Sequence, residues 1–336
     1  AGSGYEKICP ELFMTIDQCY ELAPDNPLLR QYREWVYLRK LDKLSEIASP
    51  PSPPAGVPAW AWYPRLAWLE TRRIAQWWIE NRMTPNGEFG SRLGDDSDLY
   101  QQFLDLPFFE NDSVGGKLKE GAAQLAELAE RETLTEGVNR YAADALHAYE
   151  EGINHAALVA SWYYGDPIFV ERCMESARSV EKMTVTLPDG GRFFPSTQNL
   201  GFDNIANPLQ PEADGGSTTL LWHTSLQAAD YNRNPRILGV MRQWADSWLK
   251  FMLPDSWATA IDLKANKAAS SEKNRPLSGG YNGQACVFQW LSTLTGDARY
   301  IEPFLYYYRQ GKAPGPADQF LHDVYVSGGI DSFREA

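Results

Sequence analysis

Ionisable side chains gather in four short segments of this 336-residue chain. The first, NGEFGSRLGDDSDLY over residues 86–100, brings Glu88, Arg92, Asp95, Asp96 and Asp98 into one loop and the helix start that follows it. Clustered carboxylates raise one another's pKa, and a carboxyl that stays protonated near neutral pH is what a general acid requires. Capping of a helix by Asp96 or Ser97 would explain one acid of the group and leave the others unexplained. The same oxygens offer an alternative use as ligands of a hard cation, Ca²⁺ or Mg²⁺. No cofactor is otherwise expected.

The second segment is DALHAYEEGINHAALVASW, residues 144–162. On a regular helix Asp144, His147, Glu151 and His155 fall close to one face, with Glu150 and Asn154 beside it. Its flanks are apolar, so a polar stripe here would line a cavity; hydrogen bonds between packed helices are the alternative. His147 and Glu151 at i, i+4 could ligate a metal, but two ligands without a second cluster do not make a site. The third segment, NPLQPEADGGSTTLLWHTS over 207–225, places Glu212 and Asp214 before a glycine pair and a helix carrying Trp222 and His223. Asp214 as a loop or cap residue and His223 as a packed core histidine are equally good readings. The chain has four histidines, and three of them fall in these two segments, which favours function. In the fourth segment, PLSGGYNGQACVFQW over 276–290, Gly279, Gly280 and Gly283 permit close approach of a ligand to the backbone, with Tyr281 and Asn282 facing a cavity. Arg192, in GGRFFPSTQN, could clamp an anion.

Helices must position these groups. Apolar spacing of i, i+3, i+4, i+7 predicts them over 5–21, 27–46, 60–82, 97–109, 115–131, 140–164, 167–183, 215–231, 235–252, 281–295 and 298–310. Strand-like alternation is scarce, with RFFPSTQ at most a short hairpin arm. Three times an apolar helical run ends in a tight turn and a second run begins at a cap: Asp166, Asn234 and Asp297. Pro167 and Pro235 stand at the first helical position, where proline fits. A helical hairpin recurring roughly every 65 residues marks a stacked or closed array. Connections at 83–96, 184–214 and 253–280 are long, whereas the turns between are tight. In a ring of alternating inner and outer helices the long loops share one rim, and long loops in a compact domain usually carry function.

The expected fold is therefore all-α, an (α/α)6-type toroid, complete or incomplete, in one domain over 1–336 with a stiff Pro-rich connector at 49–58. The chain resembles the (α/α) toroid domains of carbohydrate-active enzymes, the six-hairpin glycosidases and the toroid polysaccharide lyases. TGDARYIEPFLYYY is similar to the outer-helix starts common in those domains, and INHAA to the Asn-His pair of toroid lyases. The lyases usually carry an additional β-sandwich domain; none is expected within these 336 residues, which counts against that reading unless the chain is a fragment.

Three functions follow as expectations. The resemblance implies hydrolysis of glycosidic bonds in an oligo- or polysaccharide, with uronic acid units expected. That needs one protonated and one ionised carboxylate. Asp96 and Glu151 are the expected pair, positioned and tuned by Asp95, His147, His155 and His223. Glu88, Arg92, Glu150, Asn154, Arg192, Trp222 and Tyr281 would contact the sugar. β-Elimination is the second reading, in a lyase or sugar dehydratase, drawing on Tyr149, Asn154, His155, His223, Tyr281 and Arg192. A non-catalytic sugar-binding toroid is the third. The 12 Trp and 17 Tyr supply core and, in part, sugar-stacking faces. A net charge of −13 argues against a nucleic-acid or anionic-membrane partner, and no apolar run is long enough to span a membrane. Four cysteines form no metal-type pair and no disulfide scaffold; Cys173 and Cys286 read as buried thiols. The start AGSG reads as a trimmed end, so location rests on the substrate class, which favours a periplasmic or secreted protein. Oligomeric state is left open.

Overall fold

Three caps set the helical frame. Asp166 accepts from the Ile168 backbone N–H at 3.0 Å, Asn234 from Arg236 at 2.9 Å, and Asp297 from Arg299 at 3.1 Å. Each satisfies a first-turn N–H that has no partner inside its own helix. The computed structural model describes residues 10–40, 51–90, 93–110, 114–252, 256–273 and 284–303. Its contacts divide the chain into two compact units, 1–70 and 71–336. Their boundary falls inside a helix rather than at the Pro-rich connector.

In the first unit, α1 (Pro10–Leu22) and α2 (Pro27–Lys40) form a hairpin. Asn26 caps α2 through Leu28 N–H, and Arg33 Nε donates to Asp17 Oδ1 at 2.7 Å across the pair. Helix α3 (Ala59–Asn81) begins in this unit.

The second unit holds α4 (Leu93–Gln101), α5 (Leu106–Phe109) and α6 (Gly115–Glu132). A small hairpin, β1 (Leu134–Thr135) and β2 (Val138–Asn139), follows. Next come α7 (Ala145–Ala148), a π-helical turn (Tyr149–Ile153), α8 (Asn154–Trp162) and α9 (Pro167–Met183). A second hairpin, β3 (Val185–Thr186) and β4 (Arg192–Phe193), leads to α10 (Phe202–Ala206) and β5 (Ala213–Gly215). A 3-10 helix (Gly216–Trp222) runs into α11 (His223–Asn232), then α12 (Pro235–Leu249). Strands β6 (Ser256–Asp262) and β7 (Lys267–Lys273) precede α13 (Gln284–Thr295). The chain is mostly helical, with few short strands. Helices α8, α11 and α13 touch in sequence, and α9 and α12 pack against them as a second row. Among the described residues, no helix is long and apolar enough to cross a membrane.

Two local readings change. Helix α4 begins at Leu93, so Asp96 and Ser97 lie inside it and not at its cap. The segment 253–280, read as loop, contains β6 and β7, which join β5 in a three-stranded antiparallel sheet in the order β5-β6-β7. Cys173 is buried as expected, and burial pushes its thiol up to about 12. Cys286 lies in α13 with a side chain outside the described set.

The core of this unit is aromatic. Trp244 lies 5.8 Å from Trp222, 5.8 Å from Trp248 and 5.7 Å from Phe288, centroid to centroid. The buried carboxylate of Asp214 sits among them. It accepts from Thr218 Oγ1 (2.7 Å), Trp248 Nε1 (3.0 Å), Phe194 N (3.1 Å) and Trp244 Nε1 (3.2 Å). These bonds satisfy two indole N–H groups that would otherwise be stranded in the interior, and they tie β5 to α12. Asp214 is thus a buried residue of β5 held by four donors, and not the loop or cap residue that the plainer reading expects.

Burial raises the Asp214 pKa to about 6, and its four hydrogen bonds pull the other way. A carboxyl raised in the fold binds its proton more tightly there than in the unfolded chain. Its contribution is therefore full below the ordinary value of 3.8 and is lost as pH rises through about 6. Urea titrations of wild type and Asp214→Asn over this window should show their stability difference shifting by up to about 3 kcal/mol. Wild type should weaken relative to the variant as pH rises; parallel curves would mean that Asp214 titrates normally.

Candidate functional site

The second segment does not form one regular helix. Asp144 caps α7, accepting from His147 N at 3.0 Å, and the chain then widens into the π-helical turn. Glu151 (φ −85°, ψ 31°) and Gly152 (φ 165°, ψ −63°) leave helical geometry inside it. Gly152 lies against Leu134 of β1, where a Cβ would collide with Leu134 Cδ2. The turn shifts the helical register, so the expected stripe is split. His147 is on the surface with its side chain 58% exposed, Glu151 is half-buried, and His155 is 1% exposed. His147 pairs with Asp144 at 2.9 Å, and that hydrogen bond raises its pKa.

Residues of this turn and its C-terminal neighbour reach three other parts of the chain. Asn154 Nδ2 donates to Asp98 Oδ1 of α4 at 3.1 Å, which joins the first and second segments. Glu151 Oε2 accepts from Asn139 Nδ2 of β2 at 2.8 Å. Tyr149 Oη meets His223 Nδ1 at 3.2 Å, joining the second and third segments. The Tyr149 and His223 rings stack, with centroids 5.9 Å apart and planes 27° from parallel. Tyr149 and His223 are each half-buried. Burial pushes His223 down to about 4, so its imidazole is neutral at pH 7.

Beside the turn lies a buried polar layer. Tyr100 Oη donates to Gly87 O at 2.7 Å, and burial, then the nearby Asp96 charge, push its phenol upward. His155 Nε2 donates to Ala122 O at 2.7 Å, and burial lowers its pKa to about 4. With Nε2 carrying the proton, Nδ1 is an acceptor, and it has no hydrogen-bond partner. Asp96 is 1% exposed. The two expected carboxylates therefore stand in different surroundings: Asp96 is sealed in the interior and Glu151 is half-buried on the turn.

The remaining candidates separate. Glu88 is half-buried in the loop before α4, and its backbone N–H donates to Thr84 Oγ1. Glu150 is half-buried on the π-turn. Arg192 donates to Thr184 Oγ1 at 2.6 Å and to Gln243 Oε1 at 3.0 Å, so its guanidinium is engaged between β4 and α12. Trp222 is a core residue, 1% exposed. Arg92, Tyr281 and the glycines of the fourth segment lie outside the described residues, as does the Asp95 side chain. Among the described residues no three His, Cys, Asp or Glu side chains gather as a metal-binding group. Sequence reasoning missed Asn139, whose neighbours Glu136 (φ 50°) and Gly137 (φ 71°) form the turn that brings it round. No family model matches the chain, and no curated protein matches it in sequence.

Gly152→Ala should cost about 1–3 kcal/mol through overpacking against Leu134. The double variant Gly152→Ala/Leu134→Ala should weaken the coupling between the two sites, and a thermodynamic cycle measures it. Strictly additive losses would mean that the Gly152–Leu134 contact does not constrain the turn.

Proposed function

We propose that the chain acts on a carbohydrate, with uronic-acid polymers the first substrates to test, and that the Tyr149–His223 pair moves the proton. The single observation carrying this reading is the stacked, hydrogen-bonded Tyr149–His223 pair with a neutral imidazole. The carbohydrate class is supported by the toroid-like hairpin repeat. Two rows of helices in contact, with capped turns at Asp166, Asn234 and Asp297, are compatible with part of an (α/α) ring.

β-Elimination suits the pair better than hydrolysis. In that reaction a base removes the C5 proton of a uronic acid unit, a C4–C5 double bond forms, and the C4–O bond breaks with a proton delivered to the leaving oxygen. Tyr149 Oη would take the C5 proton as its own proton passes to His223 Nδ1; Tyr149 would then protonate the leaving oxygen and His223 would return its proton to Tyr149, which restores both groups. Asp96, closed off from solvent, suits neither role of a glycosidase pair. Glu151 is the observation that keeps hydrolysis as a second reading, since its half-buried carboxylate shares the π-turn with Tyr149.

A panel of uronic-acid polymers, followed by ultraviolet absorbance and by reducing-end release, separates these outcomes. Elimination gives both signals, hydrolysis gives reducing ends alone, and neither signal sinks the catalytic reading for that substrate class. Tyr149→Phe and His223→Asn should each lower kcat about a hundredfold or more, the range of general acid–base catalysis. Glu151→Gln should keep most of the elimination rate, whereas hydrolysis by Glu151 would vanish with it. The acid limb of kcat/KM should fall near pH 4, not near the ordinary histidine value of 6.5.

A further inference from the structure

A cavity of about 190 Å³ opens between α9, the start of α11 and the N-terminal half of α12. Neither Tyr149, Glu151 nor His223 lines it, so it is separate from the site above. Trp222 and Ser225, each 1% exposed, are its most deeply buried polar lining residues. The Trp222 indole Nε1 and the Ser225 hydroxyl are both buried without a hydrogen-bond partner. Buried donors are normally satisfied, and on residues that line a cavity an acceptor entering it, water or ligand, supplies the missing bond. An indole N–H can only donate, which makes the missing group an acceptor.

The rim is cationic. Arg178 of α9 is exposed and makes no ion pair among the described residues, and Arg236 of α12 pairs with Glu181 at 3.0 Å. Two guanidiniums against one carboxylate leave a positive excess, reinforced by the partial positive charge of the α12 N-terminus. Met174 and Ile237 supply apolar wall. The space corresponds to about six water volumes, below the range of drug-sized ligands.

We propose that this cavity binds a small organic carboxylate with an apolar body, its acid group at Arg178 and Arg236 and an acceptor at the far end on Trp222 and Ser225. Inorganic phosphate matches the rim but leaves the apolar wall and the two buried donors unmatched. A neutral compound of the same shape matches those donors and forfeits the arginines.

Calorimetric titration of the whole chain tests this with four probes: 4-hydroxybenzoate, benzoate, 4-hydroxybenzamide and inorganic phosphate. Saturable binding is expected for 4-hydroxybenzoate. Benzoate, lacking the inner acceptor, and the uncharged amide should each bind roughly tenfold more weakly, the factor for one hydrogen bond of this strength. Arg178→Gln is on the surface and should fold normally; it should weaken 4-hydroxybenzoate by a similar factor, as should Ser225→Ala with circular dichroism confirming its fold. Absence of saturable binding by the carboxylates would overturn the proposal. So would phosphate binding as tightly as 4-hydroxybenzoate, or affinity unchanged in Arg178→Gln.

Discussion

A Cβ at residue 152 would collide with Leu134 Cδ2 unless one of them shifted. Leu134, presented by the β1–β2 hairpin, occupies the space where a side chain would stand. Gly152 lies within a π-helical turn between α7 and α8, where it and Glu151 leave helical geometry. Three bonds that tie the candidate site to other parts of the chain start on this turn or immediately after it: Tyr149 to His223, Glu151 to Asn139, and Asn154 to Asp98. π-Turns inside helices recur at functional sites because the extra residue re-aims side chains that a regular helix would direct elsewhere. Here it divides a polar stripe into an exposed His147, a half-buried Glu151 and a sealed His155.

A second constraint holds the far side of the unit. Asp214 gathers two tryptophan indoles, a threonine and a backbone N–H around one carboxylate. Such a group is costly to bury and more costly to leave unpaired, so its four donors and its raised pKa belong to one balance. The 3-10 helix that follows delivers His223 to Tyr149, and this links the aromatic core to the proposed chemistry.

Features governed by neighbours in sequence were legible from the chain. Asp166, Asn234 and Asp297 cap where they were expected to, because a cap needs only its own first turn. The mostly helical character followed from periodicity for the same reason. Features governed by distant contacts were not legible. The π-turn packs against Leu134 of the β1–β2 hairpin, a neighbour that no helical spacing rule includes. Burial of Asp214 depends on Trp244 and Trp248, 30 and 34 residues further along. The strands at 256–273 carried a local signal, Trp257, Thr259 and Ile261 alternating with smaller residues, which the prevailing helical pattern outweighed. At the site, His223 and Tyr149 were both named from sequence. Their pairing depends on two elements 74 residues apart, so only the fold could reveal it.

The central claim is that the π-turn encloses a neutral His223 against Tyr149. Nitrogen-15 NMR of the imidazole across pH 3.5–8 tests it most directly. The account predicts a ring that stays neutral until about pH 4, with an Nδ1 shift that responds to Tyr149→Phe. A ring that titrates near 6.5 and ignores that substitution would contradict it.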